Sequence, residues 1–297
     1  MKKIKTAVIP VGGWGTRFLP ITKSIPKEML PLGNKPIILH VVEEVVAAGI
    51  KNIIFVVSQH KQVIESFFSS NEMLEDYFIK MGAKEQVANL RKIAKMAEFT
   101  FVYTKSAHGN SSALGAVRNL LADEPFVLVW SDEVIFSKQK PRIKQCLEAF
   151  EKYHKPVISA VKITDPNKRQ RYGMAELKDI EGESEIKEIV NIVEKPALGS
   201  EPSEYATHGA YVLTSEVFEA LDKIPNEDGE KEIALVDVIN IMKEKTGLLA
   251  KIIPDGHYLD CGNPLEYLYS QVDYYANYSE YSNEVIDYLG KGVCKRY

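Results

Sequence analysis

The sequence predicts an α/β fold: a mostly parallel β-sheet flanked by helices, with a more elaborate second half and C-terminal helices. Three observations carry that reading. A short apolar run, "TAVIPV" (Thr6–Val11), ends at glycine, as a buried parallel strand does. After a long loop, Ile38, Val41, Val42, Val45 and Val46 fall on one helical face. A second apolar run, "NIIFVVS" (Asn52–Ser58), completes a strand–loop–helix–strand unit, and such crossovers join parallel strands with a fixed hand. The 297 residues can bury a sizeable core, and no repeat or low-complexity linker divides them. A single domain over 1–297 is expected, with parts at about 1–135, about 136–264 and about 265–297.

The elements follow in order. Before the first helix Asn34 is a candidate N-cap, Pro36 sits in the first turn, and Gly49 is a candidate stop. Gln62–Phe68 reads as a helix, residues 71–98 carry charge at helical spacing, and "FTFVYT" (Phe99–Thr104) is the next strand. A Gly/Ser-rich stretch leads into a short helix near Ala113–Leu121. "PFVLVWSDEVIF" places an apolar strand directly before Asp132 and Glu133, and "PVISAVKI" is a further strand. From about Gln170 the texture changes to short strands, "YGMAEL", "IKEIVNIVEKP" and "HGAYVLT". Helices at Ser215–Leu221 and Ile233–Glu244 come next, then "LLAKIIP", "HYLDCGNPLEYL" and a Tyr-rich helical tail from Leu265.

Composition narrows the functions. A net charge of -4 gives no electrostatic support for general nucleic-acid binding, so any phosphate must be held by a few placed cations. Cys146, Cys261 and Cys294 lie far apart without metal-ligand spacing, which fits a reducing compartment. The apolar stretch after Met1 is too short for a signal peptide, and no segment approaches the roughly 20 apolar residues that span a bilayer. A cytoplasmic protein is expected. The six histidines form no spaced cluster, and no Ser or Cys sits in a nucleophile elbow, so neither a His-metal site nor covalent catalysis is indicated.

The loop "GGWGTRFLPITKSIPKEMLP" (residues 12–31) concentrates chemistry. Glycines between a strand and a helix expose N–H groups that can cradle phosphate, although glycine also serves merely to make such turns. No Lys-Ser/Thr follows the glycines, so this is not a P-loop, and G-x-G-x-x-G is incomplete. Arg17, Lys23 and Lys27 stand between prolines, which lower the conformational entropy lost when the loop is ordered round a ligand. Arg17 and Lys27 flank the carboxyl end of the first strand, where open α/β sheets bind ligands. Asp132 ends an apolar strand and Asp260, in "YLDCGN", follows another; meeting in one cleft they would suit Mg²⁺ bridged to phosphate. In "VEKP", Glu194 and Lys195 alternate faces of a strand unless a break at Pro196 lets both reach a ligand.

"VIPVGGWGTRFLPITKSIPKEMLPLGNKPII" closely resembles the signature of bacterial UTP–glucose-1-phosphate uridylyltransferases, within the sugar-phosphate nucleotidyltransferase family. The resemblance continues in order through "HVVEEVVAAGIKNIIFVVS", "DEPFVLVWSDEVI", "VEKP", "GAYVLTSEVF" and "YLDCGN". It implies a Rossmann-like sheet with a nucleotide-binding half at about 1–135 and a sugar-binding half at about 136–264. It implies transfer of a nucleotidyl group from UTP to glucose 1-phosphate, with Mg²⁺ and release of pyrophosphate. By motif position, Val11, Gly12, Gly13, Gly15, Thr16 and Glu28 join the nucleotide site, with Arg17 and Lys27 as its catalytic cations. Asp132 and Asp260 are the implied Mg²⁺ ligands. Gly173 and Glu194 are implied on the hexose, and Lys195 on its phosphate. One departure stands out: the family reads the pyrimidine with a Gln, and none occurs between Tyr103 and Val117. Gly115 also stands where a His is usual, so base choice is left open with UTP as the first expectation. Another sugar, or a non-catalytic regulatory paralogue, are the alternatives. The tyrosines of the tail suggest a homo-oligomer contact.

Overall fold

The computed structural model describes residues 3–104, 109–121, 123–225 and 233–291. The strands are β1 (Thr6–Val11), β2 (Pro31–Leu32), β3 (Lys35–Pro36), β4 (Asn52–Ser58), β5 (Glu98–Thr104), β6 (Phe126–Val129), β7 (Glu133–Phe136), β8 (Val157–Lys162), β9 (Gly173–Asp179), β10 (Ile186–Glu194), β11 (Tyr205–Leu213), β12 (Leu249–Ile252) and β13 (His257–Asp260). The helices are α1 (Ile37–Ala47), α2 (Gln62–Phe68), α3 (Glu72–Lys80), α4 (Lys84–Ala94), α5 (Gly109–Leu121), α6 (Arg142–Tyr153), α7 (Pro166–Arg169), α8 (Glu216–Asp222), α9 (Leu235–Thr246), α10 (Pro264–Tyr278) and α11 (Ser282–Gly290).

One large sheet runs β5-β4-β1-β6-β11-β8-β12-β10-β9. Its first four strands are parallel, with Val8 beside Ile54 on one side and Leu128 on the other. From β11 onward antiparallel pairs dominate, and only β8 and β12 run parallel. Alternation along β1 explains why the sheet needs two covers: Ala7, Ile9 and Val11 face the core beneath α1 and α6, while Val8 faces the core under α5, α8 and α9. The parallel strands are apolar on both faces because both are buried.

Local structure departs from the expectations at one place and adds to them at two. Asn34 does not cap α1; residues 31–36 fold into a two-strand hairpin, β2–β3, and Pro36 takes the N-cap position. Gly33 makes that turn at φ +66, pressed so closely on the Tyr274 ring that any Cβ would collide with it. The strand expected before Asp132 is β6, and the residues after Asp132 form a further strand, β7, with Trp130–Asp132 as the bend between them. Helix α6, which was not among the expected elements, is anchored by Arg142; its wholly buried guanidinium pairs with Glu44 on α1 at 2.8 Å.

Candidate active site

Strand β1 delivers Gly12 and Gly13 to the carboxyl edge of the parallel half. The loop that follows is tied down in several places. Ser58 Oγ, at the end of β4, donates to the Gly12 carbonyl at 2.5 Å. Gly15 adopts φ +65, and Thr22 Oγ1 donates to its carbonyl at 2.8 Å. Phe18 is buried and meets Tyr267 edge-on. Trp14 is exposed and lies flat on His60, with centroids 4.3 Å apart. With the loop held at these points, Gly12 and Gly13 line the cleft.

The cations are held by acids from distant segments. Lys27 Nζ lies 2.5 Å from Asp132 Oδ2. Its neighbour Glu28 is buried and binds Lys61 with both oxygens, at 2.9 and 2.8 Å. Arg17 Nη1 donates to the Gly262 carbonyl at 3.3 Å, which brings it to the Asp260 turn. Burial disfavours the Lys27 ammonium, but Asp132 and Glu28 outweigh it and raise its pKa. Burial likewise pushes the Asp132 carboxyl up, and Lys27 overrides it, holding the group below the ordinary range.

The two aspartates meet because β7 and β13 form their own antiparallel ribbon, with Asp260 opposite Glu133 and the Cys261 N–H bonded to the Asp132 carbonyl at 3.0 Å. A Cβ placed on Gly262 would find Asp132 Oδ2 at 3.1 Å and Asp260 Oδ1 at 3.2 Å, so two hard oxygen donors converge where glycine leaves room. That donor set suits a divalent cation that takes its remaining ligands from water and phosphate. Among the described residues no group of three or more His, Cys, Asp or Glu could hold a metal. Burial, with Glu133, Asp132 and Glu266 nearby, raises the Asp260 pKa against the opposing Gly262 N–H.

Gly173, also in the cleft wall, opens β9. A Cβ there would press on Thr207 Oγ1 and Glu194 Oε2, at 3.0 and 3.2 Å. Lys195 takes φ +47, so the chain breaks at Lys195 rather than at Pro196. Its Nζ then lies 3.2 Å from Glu194 Oε1, and both side chains reach the cleft together. The whole cleft encloses about 650 Å³ and is lined by Gly12, Gly13, Arg17, Lys27, Glu28, Asp132, Gly173, Glu194, Lys195 and Asp260 among the sequence-derived candidates. Val11 is buried in the core, and Gly15 and Thr16 shape the loop without lining the cleft.

Beyond Gly13 the wall is Pro10, Val56, Thr104, Ser112 and Ala113. Gly115 faces outward, and α5 presents Ser112 instead, one turn earlier. Residues 105–108 of the stretch where a Gln was sought lie outside the described residues. Sequence reasoning also missed Arg171, Tyr172 and Tyr258 in the wall, and Lys61 beneath the floor. Arg171 and Tyr172 directly precede Gly173, which was the available signal; nothing in "SQHK" marks a buried lysine.

The fold and this cleft, in which arginines and lysines stand among carboxylates, define a phosphate-handling α/β protein. The sequence model of the nucleotidyl transferase family matches residues 6–277, and the chain belongs to that family. Its relatives include UTP–glucose-1-phosphate uridylyltransferase 2 of Staphylococcus saprophyticus, 34% identical over 98% of this chain and 99% of that protein. The uridylyltransferase of Staphylococcus haemolyticus is also 34% identical, over 97% and 98%. Among solved structures, the UTP-bound UGPase of Acinetobacter baumannii superposes with a TM-score of 0.87 at 28% identity, covering 98% of this chain and 99% of that one. A UDP-glucose pyrophosphorylase complexed with UDP-glucose gives 0.79 at 30% identity, over 92% and 98%.

Proposed function

We propose that this protein transfers the uridylyl group of UTP to glucose 1-phosphate, giving UDP-glucose and pyrophosphate. The observation that carries the proposal is the near full-length match to uridylyltransferases combined with one cleft that holds Arg17, Lys27, Asp132 and Asp260 at one pole and Gly173, Glu194 and Lys195 at the other. An oxygen of the sugar phosphate forms the new bond to the α-phosphorus of UTP. The bond from that phosphorus to the bridging oxygen breaks, and its electron pair leaves with pyrophosphate. The attacking oxygen is already anionic, so no general base is required. The chain's own task is to bring two anions together and to stabilise the departing charge.

In this reading the N–H groups of Gly12 and Gly13 and the cations Arg17 and Lys27 hold the triphosphate. Lys195 takes the phosphate of the sugar, while Gly173 and Glu194 take its ring. Asp132 and Asp260 would hold Mg²⁺, which supplies neutralising positive charge between carboxylate and phosphate. The test is pyrophosphate release with glucose 1-phosphate and Mg²⁺ when UTP, dTTP, CTP, ATP and GTP are offered separately. A UTP preference is expected; silence with all five would sink the proposal. Comparable rates with several pyrimidines would favour a second reading, looser base choice, which the wall residues Thr104 and Ser112 motivate. Helix α10 packs Tyr274 inward but leaves Leu268, Tyr269 and Val272 exposed, and α11 leaves Ile286 and Tyr288 exposed. These faces support a homo-oligomer, which light scattering tests: a monomer at working concentration would remove it. No helix among the described residues is long and apolar enough to cross a membrane.

A further inference from the structure

Of the four residues Gly12–Gly15, only Trp14 has a side chain, and the scheme above gives it no task. Gly13 takes no left-handed backbone, and a Cβ on it would meet nothing within 4 Å, so neither the turn nor packing within the chain demands glycine there. Glycine at such a position keeps the backbone open to close approach from the cleft that Gly13 lines. It also leaves the segment conformationally free, and freedom lost on binding weakens binding.

Trp14 counters that freedom. It is 61% exposed, so burial does not explain the residue, and it lies flat on the His60 ring, with the planes only 6° apart. Neither ring lines the cleft. The platform beneath Trp14 is firm. His60 sits in the single turn Gln59–Lys61 after β4, between Ser58, whose hydroxyl holds the Gly12 carbonyl, and Lys61, whose buried ammonium is clamped by both Glu28 oxygens. Glu28 in turn follows Lys27, which is paired with Asp132. Between the anchors at Gly12 and Gly15, the stack therefore ties the glycine segment to the same strut that carries Lys27. Backbone N–H groups and an ammonium that are to share one polyanion are held at a fixed spacing in this way.

We infer that Trp14 is a positioning residue for the triphosphate: stacked on His60, it braces the Gly12–Gly15 segment in its binding shape before UTP arrives. The inference rests on the uridylyl-transfer reading of the same cleft. The experiment compares wild type, Trp14→Ala, Trp14→Phe, His60→Ala and the double alanine variant, by UTP titration with Mg²⁺ in the absence of sugar phosphate and by steady-state pyrophosphate release. Each alanine variant is expected to raise Kd and KM for UTP about 3- to 10-fold, which is what a stacked aromatic pair contributes. The double variant should be no worse than either single one, because each removes the same contact. Trp14→Phe keeps a ring and should stay within about twofold of wild type. KM for glucose 1-phosphate, and kcat at saturating UTP, should also stay within about twofold, since the brace serves ground and transition state alike.

The chain has two tryptophans, so wild-type emission minus that of Trp14→Phe reports Trp14 apart from Trp130. With the brace already made, that difference should hardly change when UTP and Mg²⁺ are added. A large change would mean that the stack forms or breaks on binding, and would overturn the inference. Unchanged UTP affinity in both alanine variants, effects that add in the double variant, or equal rises in KM for both substrates would overturn it too. Each of these leaves the uridylyl-transfer reading intact. A wild type that neither binds UTP nor releases pyrophosphate would overturn both. Should Trp14→Ala fail to fold, His60→Ala, which leaves the loop sequence untouched, carries the same comparison.

Discussion

The two poles of the cleft are both built around a lysine and an acid, and they are built in opposite ways. At the nucleotide pole the partners come from distant parts of the chain: Lys27 with Asp132, and Lys61 with Glu28. The second of these pairs is almost sealed, with side chains 2% and 1% exposed. At the sugar pole Glu194 and Lys195 are sequence neighbours, 42% and 59% exposed, and their pairing needs only a left-handed turn at Lys195. The side chains at the pole proposed for the nucleotide are therefore held by partners from distant segments, whereas those of Glu194 and Lys195 are exposed on a backbone fixed by the β9–β10 pairing. Preorganised charge stabilises developing charge without reorganisation at the moment of reaction, which suits a pole proposed to stabilise pyrophosphate.

Substitutions can break or sharpen that contrast. The largest effect is expected from Asp132→Ala, which removes a proposed metal ligand and leaves Lys27 unpaired. Turnover should fall by at least about a hundredfold, the range for losing a preorganised electrostatic group. Unchanged pyrophosphate release would instead overturn the metal assignment. Next comes Lys61→Met, which touches no ligand but strands the Glu28 carboxylate beneath the floor. Breaking a buried pair this way costs about 3–5 kcal/mol, so the thermal midpoint should drop well below wild type. Adding Glu28→Met should restore most of it, since two apolar groups leave no uncompensated charge; a double variant as unstable as the single would argue against the pair. The smallest structural effect is expected from Lys195→Ala. Stability should stay within about 0.5 kcal/mol of wild type, because the pair is exposed. KM for glucose 1-phosphate should nevertheless rise about tenfold, and more than KM for UTP. Equal rises in both would remove the sugar-phosphate role.

The same contrast explains what could be read in advance. The parallel half was legible because buried strands are continuous apolar runs and the α1 face has a clean helical period; β1, β4 and the Gln62–Phe68 helix appear where the pattern sets them. The hairpin at residues 31–36 was not, because Asn34 is equally at home in a turn and at a helix cap, and the packing of Tyr274 on Gly33 decides between them. At the site, Arg17, Lys27, Asp132, Gly173, Glu194, Lys195 and Asp260 were each marked by a neighbouring glycine, proline or strand end. Lys61 and Tyr258 carried no such mark, since burial and partnership are properties of the folded chain.

By itself the sequence determined the strands of the large sheet, that the first of them feeds a rigid cationic loop, and that the chemistry is phosphate chemistry. Those features rest on local periodicity, turn chemistry and residue type, all of which act over a few residues. Only the tertiary structure decided that Asp132 and Asp260 meet, because that depends on the β7–β13 ribbon pairing segments that are remote along the chain. Only it placed Lys27 against Asp132 and Glu28 against Lys61. A charge pair is selected by the distance and burial that packing imposes, and neither quantity is written in the spacing of residues along the chain.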